Sequence, residues 1–211
     1  MISVLTGDIV DSQKLENRER SKLSSALREA ANYAQLGESF EVFGGDSWQA
    51  LCQPPQTVFV RSLVFRSYLQ GIKGIDTRIS IGIGSYESIR PQKISLSQGE
   101  AFVLSGQGLK SISADRRLAI HTTEALPIAT RQLLDAATTL LDGITSNWTS
   151  KQAQAIALAS TEAANIELAK KFNPPISAQA FGKHLASAQW KLVKQALQYI
   201  SQALSQSAPS P

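Results

Sequence analysis

An apolar run at residues 2–5 leads directly into Thr6-Gly7-Asp8-Ile9-Val10-Asp11-Ser12, and a long charged-then-apolar stretch follows at 16–35. No other feature of the chain constrains its fold as tightly. A strand that ends on a carboxylate, turns through small and polar residues and enters a helix is the opening of an alternating β/α chain. An acidic side chain at such a strand end can hold a divalent cation. The N–H groups of the following turn, close to a helix N-terminus, can hold phosphate oxygens. Asp8 is therefore a candidate metal ligand, and Ile9, Val10, Asp11 and Ser12 are candidate phosphate contacts. A second turn, Phe43-Gly44-Gly45-Asp46-Ser47-Trp48, sets another carboxylate between two strand-like runs. Asp46 becomes the second candidate metal ligand, with Gly45 beside it as a phosphate contact. Two aspartates on neighbouring strand ends meet the needs of a Mg²⁺–nucleotide site. The plainer roles are helix capping at Asp11 and Ser12, turn formation at Asp46, and positive φ at Gly44 and Gly45.

The rest of the front part continues the alternation. Residues 39–43 and 48–52 alternate apolar and polar around the Gly-Gly-Asp turn, the pattern of a hairpin. Residues 57–70 carry Val58, Val60, Leu63, Val64 and Leu69 at helical spacings and end at Gly71 and Gly74. Residues 77–84 form a period-two strand, 99–110 a short helix and 117–121 a last strand. The order βα-ββ-αβ-αβ predicts the α+β class, with split βαβ units giving a ferredoxin-like antiparallel sheet and helices on one face. Gly82 and Gly84 suit close approach of a helix. Trp48, Cys52 and Phe102 are expected in the core, and Glu41, Arg61, Arg66 and Arg78 as surface charges.

Charge divides the chain. Residues 1–142 hold 15 Lys+Arg and 15 Asp+Glu, whereas 143–211 hold six lysines and two acids, so the net +4 lies in the last third. A polyanion partner would meet that part. Residues 127–144 read as a helix whose apolar stripe (Ile128, Leu133, Leu134, Ala137, Leu140, Leu141) suits a linker or a dimerisation surface. Beyond it come a helix capped by Thr149 or Ser150, a second at 161–172, a turn at Asn173-Pro174-Pro175, and a third capped by Ser177. The third helix shows no break through Trp190 to Leu204. Short helices around a tight turn, the last one polar, fit a helix-turn-helix whose recognition helix enters a DNA major groove. Lys170 and Lys171 would sit on phosphates, with Gln179, Lys183 and His184 near base edges. A plain helical bundle for protein contact is the simpler alternative. The resulting organisation is a domain at 1–125, a linker or dimerisation helix at 126–146, a helix-turn-helix domain at 147–204 and a disordered tail at 205–211.

Composition excludes some classes. One cysteine rules out an internal disulfide framework, and one cysteine with two histidines makes a zinc site improbable. No apolar run approaches the ~20 residues that cross a bilayer, and no signal segment opens the chain. A cytoplasmic protein without membrane contact is expected.

Gly7-Asp8-Ile9-Val10-Asp11-Ser12, Gly45-Asp46 and the strand at 78–84 resemble the metal-bearing motifs of class III nucleotidyl cyclases. The Gly44-Gly45-Asp46 turn resembles the hairpin of GGDEF-type cyclases. Over nearly the whole chain, Gly7 to Ser12, Gly45-Asp46-Ser47-Trp48-Gln49, Gly99-Glu100-Ala101-Phe102 and Trp148-Thr149-Ser150-Lys151-Gln152 resemble the SatD-like family of bacterial proteins. The resemblance implies a cyclase-like ferredoxin-type domain followed by a helix-turn-helix. The departures are instructive. The cyclase positions that hold a ribose-orienting asparagine and a triphosphate-stabilising arginine carry Val103 and Gln107 here, and the base-reading lysine falls near Val42. Losing one charged donor aimed at developing phosphate charge typically reduces rate by ~10²–10³. No catalytic residue is therefore assigned. The expectation is a dimeric DNA-binding regulator whose degenerate front domain binds a nucleotide or phosphate ligand with Mg²⁺. A divergent cyclase or phosphoryl-transfer enzyme and a non-catalytic scaffold are the alternatives.

Overall fold

A computed structural model describes residues 1–15, 17–160 and 163–207. In it the chain is a mixed α+β structure with one five-stranded sheet and eight α-helices among the described residues. Strand β1 (Ile2–Ile9) leads to helix α1 (Asn17–Tyr33). A hairpin of β2 (Phe40–Phe43) and β3 (Ser47–Cys52) precedes α2 (Val58–Gln70). Then come β4 (Thr77–Gly84), α3 (Glu100–Ser111) and β5 (Leu118–Thr122). The sheet order is β2-β3-β1-β4-β5. β1 runs antiparallel to both β3 and β4, β2 pairs antiparallel with β3, and β5 is parallel to β4.

The central strand explains the layering. β1 is buried almost along its whole length, and alternation sends its side chains to opposite faces. Leu5 and Ile9 join Trp48, Ala50, Ile79, Ile81 and Ile83 in a core under α1 and α2. Ile2 and Val4 join Leu51, Ala101 and Phe102 in a smaller core under α3. A strand apolar on both faces needs cover on both. Helices on one face and an all-antiparallel sheet were the expectation; α3 instead covers the second face and β5 joins in parallel. The close approach of α3 requires Gly82, where a Cβ would lie 2.2 Å from the Ala101 carbonyl oxygen.

The remaining helices are α4 (Ile128–Ser146), α5 (Ser150–Ala159), α6 (Asn165–Lys171), α7 (Ala178–Ser187) and α8 (Trp190–Ser207). Thr149 caps α5 through a capping box with Gln152, and Ser177 Oγ accepts from the Ala180 N–H. The expected uninterrupted third helix is broken at Ala188 and Gln189, where Gln189 takes φ 56°. The expected starts of the helices at 16 and at 161 fall outside the described residues. The tail is helical through Ser207, and its last four positions also lie outside them.

The front and rear parts share packing. Trp148, Ile156, Ala188, Val193, Leu197, Ile200 and Leu204 belong to the same core as the α1/α2 face of the sheet. A second cluster, with Ala155, Leu158, Leu168, Phe172 and Phe181, holds α5, α6 and α7 together. The linker helix α4 buries Leu134, Thr138 and Leu141 and leaves Leu133 54% and Leu140 69% exposed. No helix among the described residues is long and apolar enough to cross a membrane.

Candidate functional site

The two metal-candidate aspartates stand at the same end of the sheet. Asp8 is the penultimate residue of β1, directly opposite Ser47 in β3 and Arg78 in β4. Asp46 immediately precedes Ser47. Ser12 Oγ donates to the Asp46 carboxylate at 2.5 Å, and the Ile9 N–H donates to the Asp46 carbonyl at 3.1 Å. The turn after β1 and the Gly-Gly-Asp turn, 34 residues apart in sequence, are thus joined. Gly44 and Gly45 take φ 64° and 91°, which few side chains tolerate.

Tertiary packing holds Asp8 in place. Thr77 Oγ1 donates to its carbonyl at 2.7 Å and accepts from the buried Trp48 indole N–H at 3.0 Å. Trp48 in turn lies over Gly7, where a Cβ would meet the indole at 2.4 Å. Gly7 therefore makes room for Trp48, and Trp48 fixes the strand end that carries Asp8.

The electrostatic partner of Asp8 is Arg78, whose Nε and Nη2 donate to the two carboxylate oxygens at 2.8 and 2.5 Å. The hydrogen bonds it donates to Asp8 hold the guanidinium pKa above its ordinary value. Arg78 was expected as a free surface charge and is instead half-buried and paired. Period two sets Arg78 on the same face as Ser80 and Gly82, but only the pairing of β4 with β1 brings it opposite Asp8. Arg66, also expected at the surface, is 4% exposed and bonded to Asp76, Thr145 and Ser146. A helix with apolar residues on every side carries it into the core, which sequence charge alone does not reveal.

The phosphate candidates are placed unevenly. The N–H groups of Ile9 and Val10 donate to the carbonyls of Asp46 and Asp76. Asp11 takes φ 52° before the short 3-10 turn Ser12–Lys14, makes no side-chain cap, and pairs with Lys14 Nζ at 3.1 Å on the exposed surface. Such a pair contributes little stability. Arg20 Nη2 reaches the carbonyls of Ser12 and Gln13 at 3.4 and 3.1 Å. A cation that no motif had singled out therefore stands beside the turn.

The donors suit a hard cation. Two carboxylates supply oxygens, as Mg²⁺ prefers, with phosphate and water completing its sphere. A carboxylate has about four lone-pair directions, so Arg78 does not exhaust Asp8. No cluster of three or more His, Cys, Asp or Glu side chains is placed to hold a metal among the described residues. Any cation here would rest on two carboxylates and its ligand. Val103, 54% exposed, and Gln107 lie on the outer side of α3, one turn apart. Val42 packs against the main core.

At the other end, Lys170 and Lys171 close α6 and are exposed. Gln179 and Lys183, four residues apart on α7, are exposed on one side while Phe181 is buried on the other. His184 does not project freely: its ring stacks on Phe172, 5.5 Å between centroids and 5° between planes. Cys52 is buried in β3, and burial pushes its thiol pKa up to about 12, so it is a packing residue without nucleophilic character.

No curated protein matches the chain, and no solved structure does. The model of the SatD family matches residues 2–203, nearly the whole length, and the chain belongs to the SatD family.

Proposed function

We propose that the protein is a cytoplasmic DNA-binding regulator whose front domain, a degenerate cyclase-like ferredoxin-type unit, binds a nucleotide or related phosphate ligand. The observation that carries the reading is the junction of the two aspartate-bearing turns. Asp8 faces Ser47 across the ladder, and Ser12 donates to Asp46. The strand order β2-β3-β1-β4 supports the ferredoxin-type assignment, because each split βαβ pair leaves room for one strand between its members. In this reading Asp8 and Asp46 hold Mg²⁺, which neutralises ligand phosphates. Arg78 keeps the Asp8 carboxylate oriented, and Ser12 does the same for Asp46. Ile9 and Val10 donate their N–H groups to Asp46 and Asp76, so phosphate contact falls to residues 11–12 and Gly45. Val103 and Gln107 carry no charge to offer developing phosphate charge, which favours binding over turnover.

DNA contact is assigned to the helix-turn-helix formed by α6 and α7. Exposed Lys170 and Lys171 neutralise phosphates, Gln179 and Lys183 face the groove, and His184 contributes through its stack on Phe172. One such unit grips DNA weakly, so two copies on paired half-sites are expected, with the exposed leucines of α4 as the contact between copies.

Two measurements test the proposal. Calorimetry with Mg²⁺ and nucleoside triphosphates should register binding that Asp46→Asn weakens; no heat from any of them removes the front site. Mobility shifts on fragments upstream of the coding region should weaken steeply with salt. Lys170→Ala should lower affinity for all sequences alike, whereas Gln179→Ala should relax discrimination at one position by about 1–3 kcal/mol. Affinity unchanged in Lys170→Ala and Lys183→Ala would favour a protein-contact bundle.

A further inference from the structure

A cavity lies between the α1/α2 side of the sheet and the helices α5 and α6. It measures about 470 Å³, within the range of small-molecule sites. Tyr33 comes from the end of α1, Tyr68, Ile72 and Lys73 from α2 and the turn after it, Gln154 from α5, and Lys171 with Asn173 from the end of α6. Four segments distant in sequence therefore converge on one space.

Its floor is firm. Gly71 ends α2 against α5, and a Cβ there would lie 3.3 Å from Gln154 Cα and 3.2 Å from the Tyr68 carbonyl oxygen. The two helices are already in close contact beneath the opening, so the cavity does not vanish by small side-chain shifts. Its walls are of two kinds. Tyr33 and Tyr68 stand with ring centroids 4.8 Å apart, and Tyr33 and Ile72 keep 39% and 37% of their surface exposed. This is flat apolar area left without cover. Lys73 and Lys171 are both exposed, and neither is in a salt bridge among the described residues. Glu29, which does not line the cavity, is occupied by Tyr68 Oη at 2.6 Å and Ser25 Oγ at 3.0 Å. Those bonds hold its pKa below the ordinary value, so it remains an acceptor for the tyrosine and fixes that ring.

An aromatic platform and two cations outside any salt bridge among the described residues, with the amides of Gln154 and Asn173 in the same lining, select for a planar ring bearing an anionic group. We propose that this cavity binds a small aromatic anion of nucleoside-monophosphate type, its ring on Tyr33 and its phosphate between Lys73 and Lys171. The site needs no metal and shares no residue with the Asp8–Asp46 end of the sheet. Lys171 also figures in the DNA reading, so the test rests on Lys73 and Tyr33.

The experiment is calorimetric titration of full-length protein with AMP in EDTA, with inorganic phosphate titrated in parallel. AMP should saturate below about 1 mM and bind more tightly than phosphate. Lys73→Ala and Tyr33→Ser should each weaken AMP by about tenfold, the effect of one lost charge-assisted or stacking contact. Asp46→Asn should leave it unchanged. Both variants alter exposed side chains, and an unchanged thermal midpoint confirms that folding is intact. AMP bound no better than phosphate overturns the proposal, as does binding indifferent to Lys73→Ala and Tyr33→Ser. Loss of AMP binding in Asp46→Asn would move the ligand to the front site and refute this one. Failure of triphosphates to bind with Mg²⁺ leaves this test unaffected, so the two sites are judged separately.

Discussion

Replacing Arg66 by methionine should destabilise the protein by about 3 kcal/mol. The side chain is 4% exposed and ties α2, the start of β4 and α4 together. Its Nε and Nη2 donate to Asp76 at 2.9 and 3.0 Å, just before β4. Nη1 donates to Thr145 at 2.9 Å and Nη2 to Ser146 at 3.2 Å, both at the end of α4. Asp142, 5% exposed, stands 3.8 Å from Nη1. Methionine keeps the apolar stem, so packing changes little and the loss is chiefly electrostatic. Breaking one partner out of a buried ion pair costs about 3–5 kcal/mol, because the other charge remains without compensation. The lower end applies here. Asp76 retains Arg117 at 3.4 Å and the Thr77 N–H at 2.8 Å, and Asp142 retains Arg116 and the Arg117 N–H. For a chain of this size about 3 kcal/mol corresponds to a fall of roughly 6–12 °C in melting temperature. Urea unfolding followed by circular dichroism measures it. Adding Asp76→Asn to Arg66→Met should restore part of the loss, since the stranded carboxylate is then gone. A cost under about 1 kcal/mol for Arg66→Met would refute the reasoning, because the network would then be no stronger than a surface pair.

Three further outcomes follow from local geometry. Gly82→Ala would force a methyl to within 2.2 Å of the Ala101 carbonyl oxygen and 2.6 Å of the Ser105 nitrogen, both backbone. A loss toward the upper end of about 1–3 kcal/mol is expected in the same unfolding assay. Glu100 accepts the Ser85 N–H and hydroxyl, both at 3.1 Å, and the N–H bond is the main reason its pKa lies below the ordinary 4.5. The sign follows from linkage: a depressed folded-state pKa contributes stability above 4.5, lost as pH falls through the folded value. Glu100→Gln should therefore shift the acid limb of a stability–pH curve and leave the region above pH 6 parallel to wild type. Cys52, with its thiol pKa raised to about 12 by burial, should resist iodoacetamide at pH 8 until the protein is unfolded. Rapid labelling of native protein would contradict its place in the core.

Most of the element order was legible in the sequence because the signals are local. Period two marked the strand at 77–84, and Gly44-Gly45 marked the hairpin, where positive φ is a property of the turn itself. Thr149 and Ser177 could be read as caps, since a cap acts within three residues. The candidate site was half legible. Asp8 and Asp46 stand out as carboxylates at strand ends, and their ladder neighbours follow once β1 and β3 pair. Their partners were not legible. Arg78 reaches Asp8 across 70 residues and Ser12 reaches Asp46 across 34, contacts that register alone creates. Similarly, no property of α3 as a segment tells which face of the sheet it will cover. That was decided by Ile2, Val4 and Leu51, which need burial on the side that α1 and α2 leave bare. The same holds for Arg66, charged in sequence yet buried in the fold. A charge's environment depends on what the chain folds around it: here Asp76, Asp142 and Thr145 meet it only after α2, β4 and α4 have packed. Local chemistry determines where a strand or helix begins, whereas the pairing of charges is settled when distant segments exclude water between them.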